Sequence, residues 1–338
     1  MKPISVVDIA REAGVSTATV SRVLNGSERV ASDTRSHVLA VIERLGFAPN
    51  ASASSLRRGH SNAIGVAVAS ISQPWHVKLV RELRQAVSNR GMTTVIYDLE
   101  HSNNVLIEHT ESARRLRLAG MVLATGDRLD SPQVADSLRR LADSMPLVVI
   151  GQHLEDASWP TIYFDDIGAS EMAACELLKR RSRPLLFLGS SPRSYLSLQR
   201  LEGVKRALSG VPDLLCDSVL VEFEGVMDYA AGYEAVFHHR NQIRNFGLIF
   251  CVNDEIALGA LRAVSELGLR VPEDLMIIGY GDVDMLPYLR PSLSSLSGDV
   301  SAIASDALEA VMGSIYGDPT FSTRVHTRRI VHRESTAV

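Results

Sequence analysis

"SVVDIAREAGVSTATVSRVLN", residues 5–25, decides how the front of this chain folds. Val6, Ile9, Ala10 and Ala13 recur at i, i+3, i+4 and i+7, the spacing of one apolar stripe on an α-helix. Ser5 with Asp8 three residues on reads as a capping pair at its start. Gly14-Val15 breaks that helix, and Ser16 caps a second one on which Val20, Val23 and Leu24 face inward. The opposite face of the second helix shows Thr17, Ala18, Ser21, Arg22 and Asn25, without the Glu and Lys of a solvated helix. Short polar side chains allow close approach to base edges and phosphates, and an arginine can grip guanine with two hydrogen bonds. Two short helices joined by a tight glycine turn make a helix-turn-helix. A helical cap with no nucleic-acid role fits the same pattern. A third helix, from Ser32 to about Leu45, turns Val38, Val41, Ile42 and Leu45 inward, ends at Gly46 and closes a three-helix core.

The chain has 338 residues, 46% hydrophobic and 22% charged, which is ordinary globular composition with room for two or three domains. No apolar run approaches the ~18 residues of a membrane helix. The opening "MKPISVVDIA" has no long apolar segment, so no signal peptide is expected. Cys175, Cys216 and Cys251 are widely spaced and odd in number, fitting neither a disulfide framework nor a zinc site. A reducing cytoplasm is the expected location. The net charge of −4 is uneven: residues 1–60 hold 8 Lys+Arg against 5 Asp+Glu, residues 61–338 hold 27 against 34. A small basic head on an acidic body points to nucleic acid at the N-terminal end. "NASASSLRRGHSN", residues 50–62, has one large apolar residue, Leu56, and reads as a flexible tether or a helix too short to persist alone.

Beyond residue 61, eight short apolar runs alternate with amphipathic stretches: 63–69, 93–97, 120–125, 147–151, 161–164, 185–189, 248–252 and 275–280. Continuous β-rich runs separated by helix-length segments predict parallel strands buried on both faces, enough for two doubly wound lobes. In such sheets ligands bind outside the carboxyl ends of the strands. Those ends carry Gln73, Trp75, His76, Asp98, Asp127, Gln152, Asp165-Asp166, Ser190-Ser191, Asn253-Asp254 and Asp282. A small polar ligand with an apolar face suits this set, with Trp75 stacking and the rest hydrogen-bonding.

Other chemistries find less support. "GSSPRS" (189–194) lacks both the P-loop lysine and a G-x-G-x-x-G spacing. Asp165-Asp166 reads as a helix cap more readily than as paired acids. His238-His239 and the Asp282/Asp284 pair have no third ligand at metal spacing. No G-x-S-x-G elbow or Cys/His pairing occurs. No catalytic residue, metal or cofactor is therefore expected. The rival readings are a solute receptor, which the absent signal peptide opposes, and a nucleotide-dependent α/β enzyme, which lacks a phosphate fingerprint and a catalytic pair.

"VVDIAREAGVSTATVSRVLNGSERVASDTRSHVLAVIERLGFAPN" (6–50) resembles the DNA-binding head of the lactose/galactose repressor family, through A-G-V-S, T-V-S-R-V-L-N and a third helix ending L-G-aromatic-x-P-N. The resemblance implies that Thr17, Ala18 and Arg22 read bases in the major groove while Ser16, Thr19, Ser21 and Asn25 mainly hold phosphate. It implies an N-A-x-A-x-x-L hinge beginning at Asn50 that is helical only on DNA, with Leu56 wedged into the minor groove and Arg57 and Arg58 over phosphate. Ser54 departs from the Arg or Gln that family hinges often carry there. The body is similar to the family's effector domain, itself similar to periplasmic sugar-binding proteins. "QRLEGVKRAL" implies an effector contact from Arg200; "FCVNDEIALGALRAVSELGLRVPEDLMIIGY" implies Asn253 and Asp254 at the cleft; "IVHREST" matches the closing strand. Gly281 stands where the family usually has Asp, which leaves one polar contact missing or moved to Asp282. "RRSRP" replaces the family's G-H-(R/K)-R-I before the 185–189 run, a change of surface charge more than of ligand contacts.

The expected architecture is an all-α helix-turn-helix head at 1–48, a hinge at 49–62 and an α/β periplasmic-binding-protein-like body at 63–338. The body divides into one lobe at about 63–162 and 292–321 and another at about 163–291 and 322–338. The expected function is a ligand-responsive transcription regulator, a repressor of a carbohydrate or sugar-acid operon. It would bind a pseudo-palindromic stretch of double-stranded operator DNA as a homodimer and respond to a small polar effector. No leucine heptad closes the sequence, so a dimer is expected in preference to a tetramer.

Overall fold

The computed structural model describes residues 4–24, 29–46, 60–154, 157–317 and 323–337. The chain forms two compact units, Met1–Asn62 and Ala63–Val338.

The first unit holds α1 (Val6–Glu12), α2 (Thr17–Leu24) and α3 (Ser32–Leu45). Ser5 and Asp8 close a reciprocal cap on α1: the Ser5 N–H donates to Asp8 Oδ2 at 2.9 Å and the Asp8 N–H to Ser5 Oγ at 3.4 Å. Gly14 follows α1 at φ 62° and Gly46 ends α3 at φ 61°, left-handed positions that favour glycine. The core is Ile9, Ala10, Ala13, Val20, Val23, Val38 and Val41, with Ile42 and Leu45 half-buried beside it. Ile9, Val20 and Val38 are fully buried, each stabilising the unit by roughly 1.5–3 kcal/mol. An exposed Arg44–Glu12 ion pair at 2.9 Å links α3 to α1 and adds little.

The second unit has two lobes. Lobe one opens with β1 (Ala63–Val68), α4 (Pro74–Ser88), β2 (Thr93–Asp98) and α5 (Asn103–Arg115). It continues through β3 (Gly120–Ala124), α6 (Pro132–Ala142), β4 (Leu147–Ile150) and β5 (Thr161–Phe164). The chain then crosses into lobe two, with α7 (Asp166–Arg180), β6 (Leu185–Ser190), α8 (Tyr195–Ser209), a short α9 (Pro212–Leu215) and β7 (Val219–Glu222). There follow α10 (Tyr229–His238), β8 (Leu248–Cys251), α11 (Asp254–Glu266), β9 (Met276–Tyr280) and β10 (Ser294–Gly298). The chain returns to lobe one for α12 (Val300–Tyr316) and β11 (Arg324–His326), and crosses a third time to β12 (Arg328–Val331).

Sheet one runs β11-β5-β4-β3-β1-β2, every pairing parallel. Sheet two runs β12-β10-β9-β8-β6-β7, parallel except for β12 against β10. Central strands are buried on both faces because helices cover both, α4 and α12 on one side of sheet one and α5 and α6 on the other. All eight apolar runs form strands. The expected crossings need correction. The segment from 292 was assigned to lobe one, yet β10 pairs with β9 in sheet two through Ser294↔Ile278 and Leu296↔Tyr280. The segment from 322 was assigned to lobe two, yet β11 pairs with β5 in sheet one. Each crossing follows its strand because a strand already hydrogen-bonded along one sheet cannot leave it before its end. Among the described residues no helix is long and apolar enough to cross a membrane.

Candidate functional site

On the first unit, Ser16 starts α2: its hydroxyl accepts the Thr19 N–H at 3.1 Å and shares a 2.9 Å hydrogen bond with the Thr19 hydroxyl. Val20 and Val23 bury one side of the helix and leave Thr17, Ala18 and Arg22 exposed on the other, with Thr19 and Ser21 half-buried at its margin. The exposed surface is short-chained apart from one guanidinium, a shape that fits a groove. Asn25, Asn50, Leu56 and Arg57 lie outside the described residues.

In the second unit, the carboxyl ends of both sheets face each other across a cavity of about 120 Å³. Lobe one contributes Gln73, Trp75 and His76 from the start of α4, His101 after β2, Thr125 and Asp127 after β3, and Phe164 at the end of β5. Lobe two contributes Asp166, Arg200 from α8, Asn253 and Glu255 at the start of α11, Tyr280 and Gly281 after β9, and Arg328 from β12. Backbone hydrogen bonds bring the lobes together beside it: the Arg128 N–H donates to the Arg193 carbonyl at 2.9 Å and the Ser194 hydroxyl to the Gly126 carbonyl at 3.3 Å.

The floor is a buried charge cluster. Asp166 Oδ1 accepts from Arg328 Nε at 2.8 Å and from the Tyr280 hydroxyl at 2.5 Å, and Arg200 Nη2 stands 3.5 Å from its Oδ2. Arg200 also donates to the Val252 carbonyl at 2.6 Å and stacks 3.9 Å above the Tyr280 ring; Arg328 stacks 3.7 Å above Phe164. Burial would push the Asp166 carboxyl up, but the two guanidiniums and the phenol hold it below the usual carboxylate range. Glu255 is pushed up to about 7 by burial, with Asp254 adding to the rise. On the opposite wall His101 Nδ1 lies 3.0 Å from Asp127, and that hydrogen bond raises the imidazole. Burial pushes His76 down to about 4, with His101 contributing. Four buried nitrogens of the lining find no hydrogen-bond partner among the described residues: Trp75 Nε1, His76 Nδ1, Arg200 Nε and Arg328 Nη1. Such groups cost stability unless something meets them. No group of three or more metal-ligating side chains occurs among the described residues.

Of the residues expected here, Gln73, Trp75, His76, Arg200 and Asn253 line the cavity. Asn253 is also the cap of α11, its Oδ1 accepting the Ile256 N–H at 2.8 Å and its Nδ2 donating to the Met227 carbonyl at 2.8 Å. Three others are elsewhere. Gln152 is buried behind the wall and donates to the Asp127 carbonyl at 2.7 Å, supporting that loop. Asp254 is fully buried and accepts from the Ser295 hydroxyl at 2.7 Å and the Val283 N–H at 3.0 Å; burial pushes it up to about 6. Asp282 pairs with Arg333 at 2.7 Å outside the lining, so it does not replace the carboxylate absent at Gly281. Asp165 caps α7 by accepting the Gly168 N–H, while Asp166, read with it as a cap, anchors the charge cluster. Arg328, Tyr280, Glu255 and His101 enter the site without having been singled out.

Residues 5–50 match the family described as bacterial regulatory proteins, lacI family, and residues 175–336 match a periplasmic binding protein-like domain. Along its length the chain is 30% identical, over 334 residues, to the HTH-type transcriptional regulator MalR of Streptomyces coelicolor, covering 98% of this chain and 96% of that one. The chain belongs to the LacI family of bacterial regulatory proteins. As a LacI-family member it is a DNA-binding transcription regulator, with its helix-turn-helix on α1 and α2. A second relative, the ribose operon repressor of Haemophilus influenzae, is 28% identical over 329 residues, covering 97% of each chain. The lac repressor dimer bound to operator and the anti-inducer ONPF superposes with a TM-score of 0.86 at 23% identity over the whole of both chains, so the LacI-family fold extends through both units.

Proposed function

We propose that the protein is a cytoplasmic repressor of genes for using a carbohydrate or sugar acid, working as a homodimer on a pseudo-palindromic operator. The observation that carries this reading is the pairing, in one chain, of a groove-shaped α2 face with a cavity between two lobes. In this reading Thr17, Ala18 and Arg22 read bases, and Ser16, Thr19, Ser21 and Asn25 hold phosphate. Asn50, Leu56 and Arg57 belong to a hinge that engages the minor groove. The cavity takes the effector, with Arg200 and Asn253 on its polar groups and Trp75 against its apolar face. The relative named for a ribose operon supports a sugar-like ligand. Binding, with no catalysis, is the role the site supports: its acids are engaged with arginine, histidine or backbone, and no nucleophile–base pair lines it.

Selection of random duplex DNA on the full-length protein tests this. It should enrich two copies of one short sequence in inverted repeat, spaced by one or more helical turns. Enrichment of a single unrepeated site, or of no sequence, would reject the dimeric operator.

A further inference from the structure

The charges around the cavity are unevenly matched, and this limits what can enter. On the lobe-one wall Asp127 is matched by His101 at 3.0 Å and takes a further hydrogen bond from the Thr125 hydroxyl at 3.1 Å. On the lobe-two wall two guanidiniums, Arg200 and Arg328, share one carboxylate, Asp166. Their side chains are 12% and 3% exposed, so water screens them little. The Tyr280 hydroxyl donates to the same carboxylate, and one nitrogen of each guanidinium has no partner among the described residues. The remaining acid of the lining, Glu255, faces Asp254, Arg200 and Tyr229. Burial raises it to about 7, leaving it close to half protonated at neutral pH. Asp254 lies behind the wall, tied to Ser295 and Val283. At position 281, where the family resemblance implies a carboxylate, there is glycine; a Cβ built there would come 3.6 Å from the Trp75 ring. The wall therefore lacks a negative charge at the place expected for one and holds a buried positive charge beyond what Asp166 balances.

We propose that the effector is a small polyhydroxylated acid, an aldonate or a uronate, whose carboxylate is met by the Arg200 and Arg328 guanidiniums. The proposal rests on reading this cleft as the effector site, and it narrows that site from sugars at large to their monoanionic acids. A carboxylate is the matching group because the excess is one charge; a phosphate monoester brings about −1.5 to −2 at pH 7. Planar guanidiniums suit carboxylate oxygens, and charge-assisted hydrogen bonds are the strong ones. Trp75, Phe164 and Leu196 leave apolar wall for the C–H face of a ring or chain.

The test is calorimetric titration of the full-length protein at pH 7 with D-glucuronate, D-galacturonate, D-gluconate and D-galactonate, each beside its neutral hexose, and with glucose 6-phosphate. One of the acids should bind at least tenfold more tightly than its neutral counterpart. A neutral hexose or the phosphate ester binding as well as the acids overturns the proposal and leaves the cleft a sugar site. Binding by none of these compounds overturns the cleft reading as well. Arg328→Gln would also strip a partner from buried Asp166 and put folding at risk. The deciding variant is therefore Glu255→Gln, an isostere of the protonated acid. At pH 8.5 it should bind the acid more tightly than the parent by up to about thirtyfold, the ratio of ionised to protonated carboxyl for a group titrating at about 7. Equal affinity in the two proteins at pH 8.5 would overturn the charge argument, and the proposal with it.

Discussion

At the scale of single residues, Arg22 and Arg200 differ in how far their sequence context reveals them. Arg22 lies on a helix whose apolar face is complete without it, so its exposed position follows from spacing alone. If it pairs with guanine, Arg22→Ala should cost ~1–3 kcal/mol of preference for operator over scrambled duplex, with little change in non-specific affinity. Fluorescence anisotropy on the two duplexes measures this, and an equal loss on both would make Arg22 a phosphate contact. Arg200 is visible in the sequence because it sits in a recognisable segment at the start of α8. Its partners are not: Asp166, Tyr280 and Arg328 come from three distant segments that only the fold brings together. Asp166 follows Asp165 and looks like part of the same cap, and Arg328 lies in a run, "TRRIVHR", that reads as the charged face of an edge strand. Asp254 and Asp282 show the converse. An aspartate at a strand end looks the same in sequence whether it faces the cleft or is held behind it by Ser295 or Arg333.

At the scale of elements, strands that are apolar throughout were legible and strands stabilised by other means were not. Every β-rich apolar run became a strand of the doubly wound sheets. β10 escaped because its core-facing positions include serines: Ser294 and Ser295 are fully buried, satisfied by Ser335, Thr336 and Asp254. β11 escaped because it is a three-residue edge strand with Arg324 and Val325 exposed. Helix pairs leave a subtler mark. On α11, Gly259 lets the backbone of α10 approach so closely that a Cβ would overlap the Tyr229 carbonyl oxygen and crowd the Tyr233 amide. Both of these neighbours are backbone atoms, so neither can swing aside. Gly259→Ala should therefore destabilise the body, by about 1–3 kcal/mol, despite alanine's better helix propensity. Urea unfolding followed by circular dichroism checks the sign, and a variant as stable as the parent would show that the helices separate at little cost.

At the scale of the whole molecule, the proposed function requires two copies. One helix-turn-helix buries too little surface for tight specific binding, so two heads must be held to one operator by their bodies. Lobe one leaves Ile71, Val77 and Ile96 exposed, apolar surface of the kind a partner covers. Sedimentation should show a dimer of the 36.8 kDa chain at micromolar concentration. Effector titrations with and without operator should shift by the same factor as operator titrations with and without effector. A monomer, or an effector affinity indifferent to operator, would defeat the coupled mechanism. The triple crossing between lobes also bears on how the protein is made. Lobe one has its first five strands by residue 164, but α12, which buries Val300, Ile303, Ala307, Leu308 and Val311 against that sheet, comes only after residue 299. At roughly 5–20 residues per second, a ribosome takes on the order of ten seconds or more to bridge that gap. Throughout it the nascent chain carries a half-covered sheet behind a head that already has its three helices. The three-helix head can therefore mature on the ribosome while the body remains a client for chaperones, and truncated translation products would keep the DNA-reading part without the part that responds to ligand.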